Sequence, residues 1–78
     1  MKRYIYRGRE VYVRAYEAVN LTKYAPFFVD RTGHERLFLF NNELVVRDTV
    51  EEAQRDLDAF AQKRDLPVSR RRKPAAGV

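Results

Sequence analysis

Seventy-eight residues, 45% of them hydrophobic, with ten Phe and Tyr and no cysteine, describe one domain with one core. Apolar packing must hold it, because neither disulfides nor thiolate-bound zinc are available. The net charge is +5, no run approaches the roughly 20 apolar residues of a membrane span, and Arg7, Arg9 and Glu10 interrupt any signal-peptide core, so the expected setting is cytoplasmic.

The chain opens with Tyr-, Ile- and Val-rich segments at 3–7 and 10–19 on either side of Gly8, the pattern of a β-hairpin. A two-residue turn at Gly8-Arg9, with Gly8 supplying the positive φ, sets Arg7 opposite Glu10, Tyr6 opposite Val11 and Arg3 opposite Arg14. Tyr4, Tyr6, Val11, Val13 and Ala15 then share an apolar face, and Arg3, Ile5, Arg7, Glu10, Tyr12, Arg14 and Tyr16 share the other. A short helix over Ala15 to Leu21 is the rival reading of the second half of this segment.

Leu21 to Pro26 reads as a connection, because Pro26 closes it and favours an extended Ala25. Phe27-Phe28-Val29 is a short strand, Asp30 to His34 a turn, Arg36 to Phe40 a longer strand, Asn41-Asn42 a second turn and Glu43 to Val46 a further strand. The helix is the best-marked element. Thr49-Val50-Glu51-Glu52 fits a capping box, and Val50, Ala53, Leu57, Phe60 and Ala61 recur on one face. Lys63 and Arg64 suit the last turn, and Pro67 bars continuation. The expected fold is α+β: a single layer of about five mostly antiparallel strands packed on one C-terminal amphipathic helix, in the order ββ-βββ-α. Residues 1–66 form the domain, and 67–78 a disordered basic tail.

The charge is unevenly spread. Arg70, Arg71, Arg72 and Lys73 supply +4 with no acid among residues 66–78, leaving +1 for the rest. Within the domain, residues 1–24 carry +4 and residues 48–65 carry −3. The high isoelectric point therefore belongs mostly to the tail.

Catalytic chemistry finds no foothold. The single histidine, His34, lies in a Gly-containing turn, and no cysteine accompanies it, so a zinc site lacks ligands. The only serine, Ser69, falls in the tail, and Thr22, Thr32 and Thr49 have turn or cap explanations. The acids gather on the helix, where solvation and the dipole account for them, and the three glycines are isolated. No enzyme activity, metal or cofactor is expected.

Two binding classes remain. Arg neutralises phosphate and Tyr offers a stacking face, so Arg3, Arg7, Arg9, Tyr12, Arg14 and Tyr16, helped by Arg70, Arg71, Arg72 and Lys73, form a candidate nucleic-acid surface. The same basic groups would also suit an acidic protein surface. Alternatively, Ile5, Tyr12, Leu37 and Leu39 leave apolar bulk on the helix-free face, which a second copy or another protein would cover.

Overall fold

The computed structural model describes residues 1–69; Arg70, Arg71, Arg72 and Lys73 lie outside the described residues. It comprises β1 (Tyr4–Tyr6), β2 (Arg9–Ala18), β3 (Leu21–Val29), β4 (Glu35–Leu37) and α1 (Val50–Lys63). The strands form one antiparallel sheet in the order β1-β2-β3-β4. The α+β class expected from the sequence is present, with four strands in place of five.

In the first hairpin, Arg7 and Gly8 form the two-residue loop, with φ of 53° and 78°. Two successive left-handed residues match the right-handed strand twist. Tyr4 therefore faces Val11, Ile5 faces Glu10 and Tyr6 faces Arg9, a slide of two residues from the expected register. Because side chains alternate with a period of two, the slide changes every partner but leaves the faces intact.

β2 and β3 pair from Val11–Phe28 to Ala18–Leu21, the longest ladder in the molecule. Neither the helix considered for 15–21 nor the connection expected at 21–26 forms. Pro26 is accommodated because its carbonyl points toward the β4 side, where it accepts from the Phe38 amide at 2.9 Å. Its missing N–H lies on that same side, just where the β4 ladder ends at Leu37. Proline here removes a bond that the sheet does not require.

The expected strands at 36–40 and 43–46 shorten to β4 and two isolated bridges, Phe40–Glu43 and Tyr24–Arg47. Asn41 and Asn42, both left-handed, make the turn between Phe40 and Glu43. The segment is divided between two cores. Phe38 and Phe40 pack on the helix side, whereas Leu37 and Val46 pack on the opposite side.

Thr49 caps α1 as its sequence implied: its hydroxyl accepts from the Glu52 amide at 3.2 Å and donates to the Glu52 carboxylate at 3.0 Å. At the other end, the Leu66 amide donates to Ala61 and the Asp65 amide to Gln62, with Asp65 left-handed at φ 56°. These paired bonds satisfy the last carbonyls and turn the chain back. Ala53, Leu57 and Ala61 meet Tyr4, Val11, Val13 and Phe38 in the main core. Beyond the helix, the Ile5 amide donates to Pro67 (3.0 Å) and the Ser69 amide to Arg3 (2.7 Å). Residues 67–69 thus run along the outer edge of β1, past the domain limit of 66 expected from the sequence.

Candidate functional site

The helix-free face is covered from within the chain. Tyr12, Ala25 and Phe27 are buried there, with Tyr16, Leu37 and Val46 against them. The Arg3 guanidinium sits 4.6 Å from the Tyr12 ring centre and that of Arg14 sits 4.8 Å from the centre of Phe27. Each is held by a carboxylate, Arg3 by Glu10 at 3.0 Å and Arg14 by Glu35, to which the Tyr12 hydroxyl also donates. A cation over an aromatic face shields the ring while keeping its own charge in water.

This arrangement divides the surface expected from the Arg–Tyr pattern. Tyr12 is 7% exposed, with Arg3 over its ring. Tyr16 is half-buried, with its ring 6.5 Å from Phe27. Arg3 stands beside Tyr12 rather than opposite Arg14, so the expected repulsion between the two arginines does not arise. Of the apolar quartet, Tyr12 is buried, Ile5 and Leu37 are half-buried, and only Leu39 is exposed, at 43%.

Burial, followed by the Glu35 carboxylate that accepts its proton, pushes the Tyr12 phenol up to about 12. Burial and Asp58, whose carboxylate accepts from the hydroxyl at 2.7 Å, do the same for Tyr4. Both folded-state values lie above the ordinary value of 10.0, so these hydroxyls contribute stability that is fully present below pH 10. That contribution is lost as the pH rises through about 12. Tyr4 and Tyr12 are expected to remain protonated at about pH 11, read from their ring resonances in an alkaline NMR titration. Titration of both near 10 would contradict the contacts.

Arg7 and Arg9 are placed differently. β2 begins and β3 ends at the same end of the sheet, which brings the 7–8 loop beside the turn at 30–34. Arg7, Arg9 and Arg31 line one cavity there, of about 420 Å³, together with Tyr6, Val11, Phe28 and Phe38. The Arg7 guanidinium lies 5.2 Å from the Tyr6 ring centre and that of Arg9 lies 5.8 Å from the centre of Phe28. Among the described residues, none of these three arginines has a carboxylate within ion-pair distance.

Asp30 and Glu10, which line a neighbouring cavity together with these three arginines, are engaged with other partners. Asp30 accepts from the Thr32 hydroxyl and from Arg36, and from the Thr32 and His34 amides, which together hold its carboxyl well below the usual carboxylate range. Glu10 takes the Arg3 guanidinium and, at 2.6 Å, the Ser69 hydroxyl. His34 is an exposed turn residue with its Nδ1 2.7 Å from the Thr32 hydroxyl. Arg31 carries no signal of its own in the sequence. Its local setting is an ordinary turn, and only long-range strand pairing carries it to Arg7 and Arg9.

Among the described residues, no group of three or more His, Asp or Glu is placed to hold a metal ion, and no helix is long and apolar enough to cross a membrane. Three of the four acids of α1 have partners: Glu52 at the cap, Asp56 with Arg47 at 2.6 Å, and Asp58 with Tyr4 and Gln54. Comparison with family models, curated proteins and solved structures finds no match to this chain.

Proposed function

We propose that this chain is a small non-enzymatic binding domain that contacts single-stranded nucleic acid through Arg7, Arg9 and Arg31, with Arg70, Arg71, Arg72 and Lys73 adding salt-sensitive affinity. The observation carrying this reading is that Arg7, Arg9 and Arg31, which have no ion-pair partner among the described residues, line one aromatic-lined cavity. Every other arginine of the sheet, including Arg3, Arg14 and Arg36, has an acid.

Arg7 adds an independent argument. It occupies a left-handed loop position where Asn or Gly would be more comfortable, and an ordinary side chain there costs about 1–2 kcal/mol. A strained choice of residue at a loop tip points to use rather than architecture. Arg7→Asn is accordingly expected to raise the free energy of unfolding by about 0.5–1 kcal/mol while weakening oligonucleotide binding. Chemical denaturation and fluorescence anisotropy on the same protein read the two effects. A variant that binds as well as the parent would remove Arg7 from the interface.

The deciding experiment is a salt titration of binding to single-stranded DNA and RNA, with the chain ending at Ser69 or complete. The logarithm of the association constant should fall with log salt by about 0.7 per phosphate neutralised. Arg9→Gln with Arg31→Gln should flatten that slope. Absence of affinity at low salt in the complete chain would defeat the reading.

The alternative, a protein-interaction or homodimerisation module, rests on Leu39, which is 43% exposed. Its support is reduced because Arg3 and Arg14 already cover the rings that a partner would have had to bury. A dimer in sedimentation at micromolar concentration, dissociated by Leu39→Glu, would favour it.

A further inference from the structure

The arginine end of the sheet has a capacity and a charge that suit one kind of nucleic-acid feature better than others. The cavity, at about 420 Å³, lies toward the small end of ligand-sized pockets, which span about 300–1,000 Å³. That is room for about one nucleotide unit within this cavity. Three arginines without an ion-pair partner among the described residues line this space, and the same three line a neighbouring cavity of about 480 Å³ that Glu10 and Asp30 share.

An internal phosphodiester offers one negative charge and two terminal oxygens. A phosphomonoester carries about −1.5 to −2 at pH 7 and presents three strong acceptor oxygens. Guanidinium forks bind such oxygens in bidentate fashion. Three forks around one small recess are therefore over-supplied for a diester and matched to a monoester.

The aromatic lining fits this division of labour. Tyr6 and Phe28 lie beneath Arg7 and Arg9, so their rings brace the guanidiniums rather than lying bare for a base. Bracing restricts the rotamers of two long side chains before the ligand arrives, which reduces the entropy lost on binding. Neither guanidinium has an ion-pair partner among the described residues, which leaves N–H donors for phosphate oxygens, and a base can stack on a guanidinium plane.

We infer that Arg7, Arg9 and Arg31 form a receptor for the terminal phosphomonoester of an unpaired nucleic-acid strand. This rests on the nucleic-acid reading above and sharpens it from the strand to its end. A phosphotyrosine peptide shares the phosphate chemistry. The strand end is favoured because the rings that would embrace a phosphotyrosyl group already carry Arg7 and Arg9, and because the chain bears a basic run at 70–73 suited to further backbone phosphates.

The test uses the complete chain and one oligonucleotide sequence in three forms: 5′-phosphorylated, 3′-phosphorylated and without a terminal phosphate. At least one phosphorylated form is expected to bind roughly tenfold tighter than the unmodified strand, as one extra charge-assisted hydrogen bond implies. Arg9→Gln with Arg31→Gln should erase that preference, whereas Arg55→Gln on the exposed helix face should keep it. Circular dichroism and the unfolding midpoint confirm that the variants are folded.

Equal affinity for all three forms would overturn the terminal receptor and leave the broader nucleic-acid reading standing. Failure of every form to bind at low salt would overturn both. Binding of a phosphotyrosine peptide without binding of any oligonucleotide would likewise overturn both, and would reassign the arginines to a protein partner.

Discussion

Replacing Phe38 with alanine is expected to remove about 3–5 kcal/mol of stability, the range for truncating a buried aromatic side chain. Phe38 is 8% exposed and is the hub of the aromatic core. Its ring lies 5.4 Å from Tyr6, 6.2 Å from Phe28, 5.8 Å from Phe40 and 5.4 Å from Phe60, each edge-on. Edge-to-face pairs contribute beyond their buried area, so a cavity here removes several favourable contacts at once. At about 0.05–0.15 kcal/mol per residue, a chain of this size has about 4–12 kcal/mol in total. Phe38→Ala is therefore expected to remove a large share of the total, measurable as a much lower urea midpoint, with a substantial unfolded fraction at about 25 °C where the parent lies at the low end of that range. The milder Phe38→Leu should retain a cooperative transition at lower urea. A loss below about 1 kcal/mol for the alanine variant would mean that the neighbouring rings close over the gap.

The second large effect concerns the end of the domain. A chain ending at Leu66 is expected to be less stable than one ending at Ser69 by about 2–4 kcal/mol. The shorter chain loses the Pro67 carbonyl that accepts from Ile5, the Ser69 amide that donates to Arg3, and the Ser69 hydroxyl that donates to the Glu10 carboxylate. Two are backbone bonds of about 0.5–1.5 kcal/mol each, and the third, to a charged acceptor, is stronger. The groups left behind regain water, which keeps the sum moderate. Paired urea titrations of the two chains measure the difference. Equal midpoints would show that the segment is only draped along β1.

The helix was legible because its signals are local: a threonine cap, an apolar stripe and a proline beyond the end all act within a few residues. The faces of the first hairpin were also legible, since alternation survives a slide of two residues even though the partners Tyr6 and Val11 did not. The β2–β3 ladder was not. Its formation depends on Pro26 lying where β4 has already ended, which no local pattern around Pro26 reveals.

The candidate site shows the same division. Arg7 and Arg9 were visible as basic residues beside a glycine, but Arg31 joins them only through pairing between distant strands. The Arg–Tyr alternation suggests a platform for an unpaired base, yet Arg3 closes over Tyr12 within the same molecule. Sequence alternation cannot distinguish an aromatic that waits for a ligand from one that already has a cation above it. The difference lies in Glu10 and Glu35, which fix the two arginines in place.

The treatment of the sheet margins has a consequence for behaviour in concentrated solution. On one side the outermost backbone among the described residues is the short 67–69 segment, whose Pro67 and Ser69 bond inward to β1 and leave only Val68 facing an added strand. On the other, β4 is three residues long, its tip bears Glu35 and Arg36, and Arg47 occupies the next stretch of β3 through its bonds to Tyr24. Neither margin presents a long, flat template, so propagation into fibres by strand addition has no ready starting point. Loss of the final three residues of this margin would expose β1, and a chain cut at Leu66 should show its defect first as a tendency to aggregate during expression.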